Sequence, residues 1–85
     1  PFPGGAAQLS GHALKVWAGH VTGERSDQPP GQVLAVQPQG VDVATGDGVL
    51  RLTELQRPGG KRLPCADFLR GHSIEVGSRF EATPP

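Results

Sequence analysis

The sequence predicts a mainly β fold, a small five-stranded barrel with one short helix before the last strand, and three observations predict it. Short apolar segments recur between clusters of Gly, Pro, Asp and Ser, which is the punctuation of strands and tight turns. Only one stretch, Pro64 to Arg70, has apolar residues at helical spacing. The chain has 85 residues, enough for a single domain that buries only about 60–65 % of its unfolded surface, so one curled sheet around one core is the economical solution.

Pro1-Phe2-Pro3-Gly4-Gly5 is excluded from helix, because each proline fixes its own φ and the residue before Pro3 is pushed to extended geometry. Residues Ala6 to Gly11 show no period, so residues 1–11 are expected to form an extended junction arm. From His12 the pattern changes. Leu14, Val16 and Ala18 alternate with Lys15 and Trp17 up to Val21, the signature of a half-buried strand. Thr22 to Gly31 is dense in turn formers and nearly free of apolar anchors, which predicts a mobile surface loop whose Glu24 and Arg25 are solvated charges.

Gln32 to Gln37 is apolar on both faces, as expected of a strand in a barrel or under a helix. Pro38-Gln39-Gly40 reverses the chain, Val41 to Ala44 is a short strand, and Thr45-Gly46-Asp47-Gly48 has the glycines of a hairpin turn. In the strand Val49 to Gln56, Leu50 and Leu52 share one face while Leu55 falls on the other. A bulge near Thr53-Glu54 would return Leu55 to the core and bend the strand, as a small barrel requires. Pro64 suits the first helical position, Cys65, Phe68 and Leu69 lie at i, i+3 and i+4, and Gly71 is placed to end the helix in the left-handed conformation. Val76-Gly77-Ser78 turns into a last strand, Arg79 to Ala82, and Thr83-Pro84-Pro85 is expected to fray. Five strands with a helix before the last make an OB-like barrel the natural architecture.

Charge and composition exclude several functions. Eight Lys and Arg balance eight Asp and Glu, so there is no polybasic tail and charge alone does not give tight nucleic-acid binding. The balance is uneven: Gly48 to Arg79 holds Arg51, Arg57, Lys61, Arg62, Arg70 and Arg79 against Glu54, Asp67 and Glu75, making the second half the positive one. The single cysteine, Cys65, permits no internal disulfide, and the start of the chain is unlike a signal peptide, which points to the reducing cytoplasm. No apolar run approaches the ~20 residues of a membrane span. His12, His20 and His72 are not at metal-ligand spacing, so neither a metal nor a cofactor is expected in this domain. Cys65, with Phe68 and Leu69 as its helical neighbours, reads as a packed residue rather than a nucleophile. Gly59-Gly60 lacks the P-loop spacing. A start at Pro1 and the absence of Met suggest a piece of a longer chain.

The segment Leu55 to His72, with Leu14-Lys15-Val16-Trp17, Gly31-Gln32-Val33, Gly46-Asp47-Gly48 and the opening Pro1-Phe2-Pro3-Gly4, resembles the C-terminal domain of bacterial methionyl-tRNA formyltransferases over nearly the whole chain. The resemblance implies a separate N-terminal domain, Rossmann-like, that binds 10-formyltetrahydrofolate and holds catalytic Asn, His and Asp. It implies for this chain an OB-like barrel that helps hold the initiator tRNA. The chain has no Asn, and its three histidines lie outside the family's catalytic motif, so no catalytic residue is expected here.

On that reading the mobile pair Gly59-Gly60 lets Lys61 and Arg62 project from the barrel rim onto tRNA phosphates, with Arg57, Arg51, Lys15 and Arg70 extending the patch. Adjacent loop cations are as often plain solvated charge. Phe68 and Phe80 are expected in the core. Trp17, on the same strand face as Lys15, is read as packing, including packing on a further domain, ahead of stacking on RNA. The alternative is a structural barrel bracing a related folate-dependent formyltransferase or hydrolase domain without nucleic-acid contact; a free-standing protein-interaction barrel is a third reading.

Overall fold

The structure is a computed structural model that describes residues 5–9 and 12–82. The expectations for Pro1 to Gly4, Ser10, Gly11 and the last residues, Thr83 to Pro85, lie outside the described residues. Among the described residues seven strands and one helix follow in the order β1 (Gly5–Leu9), β2 (His12–Arg25), β3 (Val33–Gln37), β4 (Gly40–Ala44), β5 (Gly48–Gln56), β6 (Leu63–Pro64), α1 (Cys65–Gly71) and β7 (Phe80–Ala82). The fold is mainly β, with one short helix and a sheet curled into a half-barrel. Its path is β3-β4-β5-β2-β1-β7, with β6 added on β5.

The sequence underestimates the strands in three places, the smallest of them β6, where Leu63 and Pro64 pair with Leu55 and Glu54 just before the helix. Gly5–Leu9 is not an arm but a strand, paired antiparallel with β2 and with β7. Small residues without alternation give no periodic signal, and the pairing is imposed by the two neighbouring ladders. Likewise β2 runs on through Arg25, pairing Val21 with Leu50 and Arg25 with Gly48, so the segment expected as a loop from Thr22 is half strand. The Thr22 hydroxyl donates to the Val49 carbonyl at 3.3 Å, and Arg25 meets Asp47 at 2.5 Å. Cross-strand partners thus replace the apolar anchors that the segment lacks.

The expected bulge is present. Val16 pairs with Leu55, Ala18 with Glu54 and Gly19 with Leu52, which leaves Trp17 an extra residue on β2 and Thr53 an extra one on β5. Leu52 and Leu55 therefore both face the core, and β5 bends beneath α1. Farther up the strand it is Val49 that is buried, with Leu50 only packed against the core edge.

Hydrogen bonds draw the two ends of the sheet path together. Gln32 and Arg79 form an isolated antiparallel bridge, and the amide of Val33 donates to Ser78 at 2.7 Å. Gly31 lies at the closest approach: its amide donates to Ala44 at 2.8 Å, its carbonyl accepts from Phe80 at 2.7 Å, its φ is +94°, and a Cβ there would run into the Phe80 carbonyl oxygen. Only glycine fits both the conformation and the space.

The core comprises Leu9, Leu14, Val16, Val33, Val41, Val43, Leu52, Leu55, Cys65, Phe68 and Ile74, with Leu69 and Phe80 packed on its edge. Helix α1 covers it with Cys65 and Phe68. Pro64 sits at the N-cap rather than in the first turn, and Gly71 is the last helical residue, followed by extended His72. The helix thus stops without a left-handed glycine: the His72 amide still donates to the Phe68 carbonyl at 3.0 Å, and the chain then leaves straight. So short a helix is held by docking rather than by propensity.

Candidate nucleic-acid interface

Compensating bulges shape the outer face of the β2–β5 pair. Leu14 and Val16 are buried, which leaves Lys15 and Trp17 outward on β2, and Lys15 lies opposite Gln56 in the ladder. The extra residue Thr53 shifts the phase of β5 so that Glu54 and Gln56 lie beside Lys15 and Trp17. A residue left unpaired in a bulge is free to be re-aimed, and Trp17 is that residue.

The loop from Arg57 to Arg62 folds back onto this face. The Gly60 amide donates to the Arg57 carbonyl at 2.9 Å, and Gly59 turns at φ +77°. The Gln56 side-chain amide donates to the Gly60 carbonyl at 2.9 Å, while its carbonyl oxygen accepts from the Trp17 indole N–H at 2.6 Å. The glycines that read as slack thus form a defined turn, tied through Gln56 to Trp17.

Two cations converge on the tryptophan. Lys15 Nζ lies 4.4 Å from the centre of the Trp17 ring, and the Arg62 guanidinium carbon 4.8 Å. Each exposed contact of this kind is worth about 0.5–1 kcal/mol. The Arg62 guanidinium also meets the Glu54 carboxylate at 2.5 Å. Lys61 is exposed and, among the described residues, has no carboxylate within salt-bridge distance.

The remaining candidates are dispersed. Arg57 donates to His72 Nε2 at 3.2 Å, on the rim of a cleft of about 780 Å³ whose floor includes Leu9, Leu14, Phe68 and Ile74; the His72 ring also packs on Phe68, 5.2 Å between centres. Arg51 forks onto Asp42, with Nε to Oδ1 at 2.7 Å and a second nitrogen to Oδ2 at 3.1 Å. Hydrogen bonding and the charge of Asp42 raise the Arg51 pKa further, and Gln37 donates to the same carboxylate at 3.3 Å. Arg70 pairs with Asp67 one helical turn back at 2.7 Å, an exposed contact of little energetic weight.

Lys15 and Arg62 are therefore brought together, with Lys61 next in the chain; Arg57 borders the cleft, and Arg51 and Arg70 are engaged elsewhere. Sequence reading missed Glu54 and Gln56, although the expected bulge was the signal that could have placed both beside Trp17. Cys65 is buried, its thiol donating to the Leu52 carbonyl at 3.0 Å. Burial pushes its pKa up to about 11, against a smaller downward pull from the Val41 backbone, so it is no nucleophile at neutral pH. Among the described residues no group of three His, Cys, Asp or Glu side chains is arranged to hold a metal, and no helix is long and apolar enough to cross a membrane.

The geometry defines a curled β domain with a cationic aromatic patch on its β2–β5 face. The chain belongs to the formyl transferase C-terminal domain family, whose model matches residues 1–73. It is 52 % identical, over all of its 85 residues, to a methionyl-tRNA formyltransferase of Paraburkholderia phymatum, of which it covers 26 %. Methionyl-tRNA formyltransferases of Burkholderia pseudomallei and Burkholderia ambifaria are 51 % identical over 80 residues, 94 % of this chain and 24 % of theirs. The chain thus spans about a quarter of the length of these curated relatives.

Proposed function

We propose that this chain is an auxiliary tRNA-binding domain of a methionyl-tRNA formyltransferase, an OB-like barrel that helps position initiator tRNA in the cytoplasm. The formyl transfer, using 10-formyltetrahydrofolate, belongs to a catalytic domain elsewhere in the parent chain. The observation that carries the reading is the convergence of Lys15 and Arg62 on Trp17, with the exposed Lys61 next in the chain. Cations gathered around an aromatic face suit a nucleic-acid backbone, because phosphate contacts need charge and reach rather than base chemistry.

Within the patch Lys61 and Arg62 are the principal phosphate contacts, supported by Lys15 and by Arg57 at the start of the loop. Arg51 and Arg70 contribute through the general field, since their guanidinium groups are already held by Asp42 and Asp67. Binding is weak, salt-sensitive and largely independent of sequence. Titration of the chain with tRNA at low and moderate salt tests this. Binding that weakens with salt, and weakens further when Lys61 and Arg62 are both replaced by Ala, supports the reading; no binding at low salt, or none lost in the double variant, refutes it and favours a purely structural barrel.

A further inference from the structure

The pair Arg62–Glu54 raises a question that the tRNA-binding reading leaves open. The guanidinium that should meet RNA is already occupied by a carboxylate, yet the surroundings are positive: Lys15 and Arg62 share the Trp17 ring and Glu54 is the anion bonded there. Resting on that reading, we propose that Glu54 is an internal stand-in for the RNA phosphate, holding Arg62 over Trp17 in the free domain and yielding it to a backbone phosphodiester on binding.

Three features of the geometry carry this. The Arg62 Nε–H is held by Glu54 Oε1, so a phosphate that takes the guanidinium by its Nε edge, the edge turned to β5, must displace the carboxylate. The pair is half open to solvent, with side-chain exposures of 54 % for Arg62 and 33 % for Glu54, so an incoming anion can reach it and exchange costs little. Glu54 stands in the β5 ladder between Ala18 and Pro64, whereas Arg62 lies outside any strand, just before the paired Leu63, and its guanidinium is carried on a long, half-exposed side chain. The guanidinium can therefore swing while the carboxylate stays. Lys61, with no carboxylate within reach among the described residues, is placed to meet the backbone first. The device sets a threshold: a polyanion offering several phosphates displaces Glu54, and an isolated small anion does not.

The test is tRNA titration of the native chain, Glu54→Gln, Arg62→Ala, the two combined, Lys61→Ala, and Glu81→Gln as a control for loss of one exposed negative charge. The expected result is that Glu54→Gln binds about two- to fivefold tighter, as release of one exposed ion pair allows, with a steeper salt dependence, and that Glu81→Gln changes affinity much less. In the Arg62→Ala background the gain from Glu54→Gln vanishes. A gain that persists there shows mere loss of charge and overturns the proposal, as does a Glu54→Gln affinity equal to native. If native binds and Lys61→Ala weakens binding while Glu54→Gln does nothing, the exchange fails and the tRNA reading stands; if neither native nor Glu54→Gln binds at low salt, both fall. Independently of any variant, the Arg62 Nε–H resonance of the native chain shifts on adding tRNA. No shift, or an equal shift with inorganic phosphate at matched phosphate concentration, overturns exchange with an RNA backbone.

Discussion

Replacing Gly31 by Ala tests how the two ends of the curled sheet are held together. Gly31 combines φ +94° with a position where a Cβ would run into the Phe80 carbonyl oxygen. An alanine in left-handed backbone costs about 1 kcal/mol or a little more. Relief of the clash must move β7 away from Gly31, weakening the bonds Phe80 N–H to Gly31 and Val33 N–H to Ser78, both 2.7 Å; at about 1 kcal/mol per hydrogen bond this adds roughly 1–2 kcal/mol. Gly23 supplies the control, since it has φ +90° but open space, with nothing within 4 Å of where a Cβ would stand. Urea unfolding followed by the single tryptophan should give a loss of roughly 2–3 kcal/mol for Gly31→Ala and about 1 kcal/mol for Gly23→Ala. For a domain of this size the difference corresponds to several degrees in Tm. Equal losses at the two glycines would refute the close approach as the constraint at position 31.

Other consequences are as definite. Because the folded Cys65 thiol is pushed up to about 11 from an ordinary 9.0, the unfolded thiol ionises first, so its stability contribution is constant below about pH 9 and is lost as pH rises toward 11. The loss at pH 10 is about 1 kcal/mol, read as a fall in urea midpoint between pH 8 and pH 10 that Cys65→Ala lacks; a thiol reagent at pH 8 should label native Cys65 only at the rate of unfolding. Asp42 is buried, with only 5 % exposed, and holds both Arg51 and Gln37, so Asp42→Ala should cost roughly 1–3 kcal/mol by stranding those donors. Arg51→Gln should lower stability while changing tRNA affinity less than Arg62→Ala does. Leu55, fully buried beneath α1, should lose about 2–5 kcal/mol on truncation to Ala, measured by the same unfolding assay.

The parts of the fold legible in the sequence were those with strong local signals. The alternation of Leu14 and Val16, the Gly46 turn, the phase slip between Leu52 and Leu55, and the helical spacing of Cys65 and Phe68 each announce their element. Gly5–Leu9 gave no such signal, since glycine and alanine have little to bury and their strand is defined by two partners, one of them distant in sequence. Thr22 to Arg25 failed for a related reason: polar residues can form a strand when a neighbour such as Val49 or Asp47 receives them. At the candidate interface the cations were legible, but their availability was not. Whether a guanidinium is free or held depends on which carboxylate the ladder sets beside it, and Asp42 beside Arg51 is a fact of register rather than of composition.

The central claim is that RNA meets the face where Lys15, Trp17 and the Arg57–Arg62 loop come together. Amide chemical-shift mapping of the chain during titration with tRNA tests this most directly. The account predicts that the largest shifts fall on Lys15, Trp17, Gln56 and residues 57–62, fading as salt is raised. Shifts confined to the Arg25–Asp47 end of the sheet, or none at low salt, would contradict it.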